Sequence, residues 1–160
     1  MESVMPTLVI PSSPVGPLWL RADEVGICAI GFGKLERADP GESAHLERTR
    51  AELERYFRGS TEPFTVPLSL SGTEFQLRVW AELQKIRWGE RVSYGEIARR
   101  LGQPGAMRAV GLANGRNPVP IVVPCHRVIA AEGKLGGYSG GLHIKKALLR
   151  LEQPTVLELG

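Results

Sequence analysis

Ile121-Val-Val-Pro-Cys-His-Arg-Val128 sets an apolar run directly against a reactive tetrad, and the rest of the chain reads as what presents something to Cys125. Cysteines in apolar strands are usually inert. Here Pro124, His126 and Arg127 bound the residue, and polar neighbours of that kind can lower a thiol pKa and generate thiolate. A nucleophilic cysteine is the sharper reading. Side chains at consecutive strand positions point to opposite faces, so His126 can serve Cys125 only if the strand breaks or a water relays the proton. Pro124 is the place for such a break.

Upstream, Ser93 to Asn114 reads as two short helices around a turn: Tyr94 to Leu101 with Ile97, Ala98 and Leu101 inward, then Gly102-Gln-Pro-Gly105, then Met107 to Asn114. That is a helix-turn-helix pattern. In the second helix Ala106, Ala109, Gly111, Ala113 and Gly115 carry no side-chain donors or acceptors, and only Arg108 and Asn114 reach far. Small residues allow close backbone approach, which suits phosphate contact or a narrow groove, and equally suits tight helix packing. Charge bears on the choice. Between Lys85 and Arg116 seven basic residues stand against Glu90 and Glu96, a local net charge of +5 within a chain of net charge +3, and a polyanion is the partner such a surface fits. Before this segment, Ser71-Gly-Thr-Glu74 has the form of a capping box, and Phe75, Val79, Leu83 and Ile86 predict a helix from Thr73 to Ile86.

Downstream, Glu132 to Gly141 is a glycine-rich loop whose amides can approach a ligand closely. Gly137 to Gly141 also fits G-x-S-x-G, the nucleophile elbow of serine hydrolases. The strand-turn-helix context and the acid and histidine in their order downstream are missing, and the chain is short for that fold. A helix from Leu142 to Leu151 follows. Glu152 lies near its end, where an acid opposes the helix dipole and calls for a partner, with His126 or a backbone amide as candidates.

The N-terminal part has a different pattern. Thr7 to Ile10, Leu18 to Ala22 and Val25 to Phe32 predict an antiparallel meander, and Glu42 to Phe57 predicts an amphipathic helix with Leu46, Leu53, Tyr56 and Phe57 on its inner side. The prolines between Ser60 and Ser69 suggest an extended linker. The expected fold class is therefore α/β in the α+β sense. Residues 1–66 form a small antiparallel-sheet domain with a helix and linker. Residues 67–160 form a mainly helical domain with the helix-turn-helix and a short-strand active-site region. With 42% hydrophobic and 23% charged residues, composition argues against disorder. The early prolines Pro6, Pro11, Pro14 and Pro17 argue against a signal peptide, so a cytoplasmic or nuclear protein is expected. Cys28 and Cys125 are too separate to suggest a disulfide framework or a zinc site, and Cys28 reads as a small buried hydrophobe.

Asn117-Pro-Val-Pro-Ile-Val-Val-Pro-Cys-His-Arg-Val128, Arg108-Ala-Val-Gly111, Ser93-Tyr94 and Gly137-Tyr-Ser-Gly-Gly141, in this order, closely resemble the O6-alkylguanine-DNA alkyltransferase (methylated-DNA–protein-cysteine methyltransferase) family. The resemblance covers about Gly72 to Glu152. It implies direct reversal of O6-alkylguanine, and of O4-alkylthymine, by irreversible single-turnover transfer to Cys125. It further implies that His126 takes the thiol proton through a water, that Glu152 orients the imidazole and that Tyr94 protonates the departing base. Arg108 and Ala109 would enter the minor groove of double-stranded DNA, with Arg108 filling the place of the flipped base. Val128, Tyr138, Ser139 and Gly140 would surround that base, and Asn117 would brace the turn. No cofactor is implied. Some members hold zinc in the N-terminal domain, but the cysteines and histidines for it are lacking here. A monomer in solution is expected, with cooperativity on DNA left open. A cysteine hydrolase and a non-catalytic lesion-binding protein are the rival readings.

Overall fold

The computed structural model describes residues 5–39, 41–130 and 134–153. They fall into two compact units, Met1–Ser71 and Gly72–Gly160.

In the first unit β1 (Thr7–Ile10), β2 (Leu18–Ala22) and β3 (Ile27–Phe32) form an antiparallel sheet in the order β1-β2-β3. Alternation along β2 buries Leu18, Leu20 and Ala22 on one face, as period-two patterning requires. The other face carries Trp19 opposite Gly31, and a side chain at Gly31 would overlap the indole. The Arg21 guanidinium stacks over the same ring at 4.9 Å. Helix α1 (Ala44–Phe57) is capped by Ser43, whose hydroxyl accepts from the Leu46 amide, and it buries Leu46, Thr49, Leu53 and Tyr56.

Helix α1 also buries a carboxylate. Glu52 accepts hydrogen bonds from the Thr65 amide at 2.9 Å, the Thr65 hydroxyl at 2.7 Å and the Val66 amide at 3.1 Å. Burial raises its pKa, but these bonds and Arg48 outweigh burial and leave it below the ordinary value. The proline-rich segment is thus fastened to α1. Beyond it, the Ile27 amide donates to the Pro67 carbonyl at 2.9 Å, the Ile27 carbonyl accepts from the Ser69 amide at 2.8 Å, and the Ser69 hydroxyl donates to Asp23 at 2.5 Å. Residues 67–71 therefore belong to the first unit.

The second unit begins with α2 (Glu74–Leu83). Its N-cap is Thr73, paired reciprocally with Gln76, two residues beyond the Ser71 box that the sequence suggests. The start near Thr73 is as the spacing predicts, and the cap's place at Thr73 instead of Ser71 has a packing reason. Gly72 lies against the Trp80 ring with no room for a side chain, so the chain at Gly72 approaches the helix it precedes instead of forming its first turn. The helix also ends earlier than Ile86, at Leu83, although Ile86 is buried. The two-residue strand β4 (Val92–Ser93) leads into α3 (Tyr94–Arg100), capped by Ser93, and α4 (Met107–Gly115) follows a turn. Trp80 donates from Nε1 to the Ala113 carbonyl at 2.9 Å, fixing α2 on α4, and Arg78 donates to the Leu101 carbonyl at 2.9 Å, just past the end of α3. Strand β5 (Val128–Ile129) pairs in parallel with β4, and α5 (Leu142–Glu152) closes the described unit.

Replacing Glu52 with alanine leaves the Thr65 and Val66 amides without their acceptor. The expected loss is about 2 to 3 kcal/mol, read as a lower denaturant midpoint for the first unit.

Candidate active site

Cys125 opens a single 3-10 turn, Cys125–Arg127, that passes the chain to β5. No strand runs through Cys125: Ile121 and Val122 form a turn between isolated bridge partners Pro120 and Val123, and the opposite-face constraint on Cys125 and His126 does not hold. The approach to this turn is tightly tied. Asn117 donates from Nδ2 to the Val123 carbonyl at 2.8 Å and accepts at Oδ1 from the Val119 amide at 3.0 Å. The Val123 amide reaches the Val119 carbonyl at 2.9 Å, and the Cys125 amide the Val123 carbonyl at 2.8 Å. At the centre Ile121, buried at 1% exposure, has φ of 75°. That conformation costs a β-branched residue on the order of 1 to 2 kcal/mol and persists only because the surroundings enforce it.

Behind the turn lies a buried ionic network. His126 Nε2 is 2.6 Å from Glu152 Oε2. Arg127 grips both oxygens of that carboxylate, Nε at 2.8 Å and Nη2 at 3.1 Å, and donates from Nη1 to the Ile86 carbonyl at 2.6 Å. Burial alone would raise the Glu152 pKa, but His126 and Arg127 bring it down to about 2. Burial lowers that of His126 against the pull of Glu152. The pair is thus a carboxylate accepting Nε2–H from a neutral imidazole. His126 Nδ1 is then the acceptor nitrogen, and it is buried without a protein hydrogen-bond partner. Cys125 has its pKa raised to about 11 by burial, opposed by the Asn117 side chain, the Lys145 charge and the Tyr138 hydroxyl. The resting group is a thiol, and it reacts only if a base takes its proton.

A pocket of about 370 Å³ opens over the thiol, lined by Tyr94 from α3, Gly111 and Asn114 from α4, Cys125, and Tyr138 and Ser139 from the following loop. Tyr94 packs so closely on Gly136 that a side chain there would strike the phenol, and Gly136 has φ of 72° besides. Burial, then the nearby Cys125, raises the Tyr94 pKa, so its hydroxyl keeps its proton. Of the other residues singled out above, Val128 and Asn117 are buried, Gly140 sits in the turn closed by the Gly141 amide on the Tyr138 carbonyl, and Arg108 and Ala109 are exposed on α4. Glu132 and Gly133 of the loop lie outside the described residues.

Two functional groups escape sequence reasoning. Arg127 is the second partner of Glu152, which the dipole argument sought elsewhere. Lys145, fully buried, donates from Nζ to the carbonyls of Val128 at 2.7 Å, Leu135, and Gly137 at 3.2 Å, tying the pocket loop to β5. Its signal was its place on α5: Lys145 shares the inward face with Leu148, Leu149 and Glu152. Among the described residues no cluster of three or more His, Cys, Asp or Glu could hold a metal ion.

Fold and site together define a helix-turn-helix protein with a buried cysteine that lines a pocket beside its second helix. Residues 8–70 match the ribonuclease-like domain of 6-O-methylguanine DNA methyltransferase, and residues 74–154 match its DNA binding domain. The chain is 50% identical over 147 residues to the methylated-DNA–protein-cysteine methyltransferase of Methanosarcina acetivorans, covering 88% of this chain and 94% of that one. It is 58% identical over 152 residues to that of Mycobacterium leprae, covering 91% of each. The crystal structure of Mycobacterium tuberculosis OGT in complex with DNA superimposes with a TM-score of 0.82 at 46% identity, covering 92% of this chain and 93% of that one. The chain belongs to the methylated-DNA–protein-cysteine methyltransferase family.

Because the Glu152 pKa is about 2 in the fold against 4.5 for the free group, its stabilisation is complete above the free value and is lost as pH falls through the folded one. Glu152→Gln is expected to cost on the order of 3 kcal/mol at neutral pH and to flatten the acid limb of a stability profile followed by denaturant titration. Lys145→Met, similar in length but without donors, leaves three carbonyls unpaired. It is expected to cost about 2 to 4 kcal/mol and to speed amide exchange across residues 134–141.

Proposed function

We propose that this protein repairs alkylated DNA by moving the alkyl group of O6-alkylguanine onto its own Cys125. The observation that carries the reading is the buried thiol facing a base-sized pocket, with a neutral imidazole, held by Glu152 and Arg127, next to it in sequence. The proton leaves Sγ through a bridging water to His126 Nδ1, the nitrogen whose partner Nε2 is already committed to Glu152. The thiolate attacks the alkyl carbon, the carbon–O6 bond breaks, and its electron pair stays with the guanine. Tyr94 supplies a proton at N3 of the departing base, and the imidazolium offsets the charge left on the phenol. The product is a thioether, which leaves the molecule spent after one turnover. O4-alkylthymine presents the same kind of carbon–oxygen bond.

DNA binding follows from the outward face of α4. Arg108 and Ala109 are exposed there, with Arg116 just beyond its end. Small side chains let this helix approach the minor groove, while Arg108 takes the place of a base turned out of the stack into the pocket. Ser139 and the backbone near Cys125 and Val128 meet that base, Gly140 lets the loop curve around it, and Tyr138 closes over it. The relative solved in complex with DNA supports DNA binding. The protein would act as a monomer.

Intact mass spectrometry after incubation with duplex DNA containing O6-methylguanine tests the reading. One methyl gain per molecule is expected, with repair stopping at one equivalent of DNA. Cys125→Ala should gain nothing. Absence of a gain in the wild type, or continued turnover on excess substrate, overturns it.

A further inference from the structure

One side chain on the outward face of α4 fits neither the small residues nor the arginines around it. The inner face of the helix is Val110, Ala113 and Asn114, all buried. At about 3.6 residues per turn, the opposite arc carries Arg108, Ala109, Gly111, Leu112, Gly115 and, just past the end, Arg116. Leu112 lies in the middle of that arc, one turn from each arginine, and is 65% exposed. A single exposed leucine is ordinary on a protein surface. This one is set apart by its company, since the arc otherwise holds only guanidinium groups and residues too small to reach past the backbone. Met107, the other exposed apolar side chain of α4, turns towards α3, where its sulfur lies beside Gly95. Gly111 lines the pocket, so Leu112 stands one residue from the pocket mouth. Its isobutyl group is the apolar group that meets whatever this arc lies against.

The DNA-repair reading above puts the arc against the minor groove, and the inference rests on that reading. Four residues of helix set Leu112 about 6 Å from Arg108, which is within about two base pairs of the lesion at roughly 3.4 Å per pair. An apolar side chain cannot bond to a base edge, yet it distinguishes one pair from another. In the minor groove an A·T pair shows two acceptors and no donor, and a G·C pair adds the guanine 2-amino group. A leucine pressed onto that amino group removes its water and returns no acceptor, a cost that an A·T pair does not carry. We propose that Leu112 is a specificity-determining residue that reads the groove beside the lesion and favours lesions whose neighbouring pairs lack a 2-amino group. The helix that approaches DNA through small side chains thereby gains a preference for sequence context, set by one side chain that touches neither the alkyl group nor the extruded base.

The experiment times methyl transfer to the full-length protein from two duplexes that carry O6-methylguanine in the same sequence. They differ only in the two pairs on each side of the lesion, which are G·C in one and inosine·C in the other. Inosine is guanosine without its 2-amino group, so the major-groove edge of each pair is unchanged. The wild type is expected to react at least about fivefold faster with the inosine duplex. The ratio should fall below about twofold in Leu112→Ala, and to about one or less in Leu112→Asn, which keeps the shape of leucine but offers the amino group an acceptor. Taking the ratio within each protein cancels a general loss of activity, and comparing ratios between proteins cancels the weaker pairing of inosine. Equal wild-type rates on the two duplexes overturn the proposal, as does either variant keeping the wild-type ratio. Failure of the wild type to take up methyl from either duplex overturns the alkyl-transfer reading instead.

Discussion

The second unit depends on one carboxylate placed where charge is costly. Glu152 is 5% exposed and receives three bonds from two residues of the 3-10 turn. An isolated ion there would be expelled or neutralised. Paired with the Arg127 fork, it becomes a fixed negative pole. Arg127 then extends the arrangement to the Ile86 carbonyl, so one network joins the end of α5, the reactive turn and the chain after α2. His126 gains its tautomer from this arrangement, and with it a ring nitrogen free to take a proton.

Held from behind in this way, the turn is also shaped from its N-terminal side. Asn117 closes the Val119–Val123 segment with both ends of its amide, and Ile121 adopts a backbone conformation that a β-branched residue avoids. Such strain survives because the bonds around it leave no alternative. On the far side Lys145 gathers three carbonyls of the pocket wall. Cys125 is therefore fixed by polar groups on every side while its own thiol remains neutral. Burial suppresses its ionisation, and this spares the thiol from reagents that attack thiolates in solution.

Much of the framework was legible in the sequence because it is local. Short apolar segments separated by turn residues marked the three strands, and 3.6-residue spacing marked α1 and α2. Ile97 and Ala98 were read as inward and are buried. The tetrad announced itself by composition. What escaped was non-local or conformational. Arg127 meets Glu152 across 25 positions and Ile86 across 41, and no window of sequence records such contacts. Thr73 and Ser71 are equally good caps on paper; the nearness of Gly72 to Trp80 decides between them. The break at Pro124 was anticipated, but the apolar run before it is a turn held by Asn117, and the 3-10 form of Cys125–Arg127 left no mark in the sequence. Lys145 meets carbonyls 8, 10 and 17 positions before it, contacts that its place in the sequence does not record.

The reach of the Glu152 network along the chain bears on how the protein comes into being. His126 and Glu152 are 26 residues apart, and synthesis runs from the N-terminus. Until Glu152 has been made, His126 lacks the carboxylate that orients its ring, and Arg127 has only the Ile86 carbonyl to hold. The arrangement around the turn is completed only when α5 packs against it, so a chain cut short before Glu152 keeps its cysteine but loses the orientation of the neighbouring imidazole.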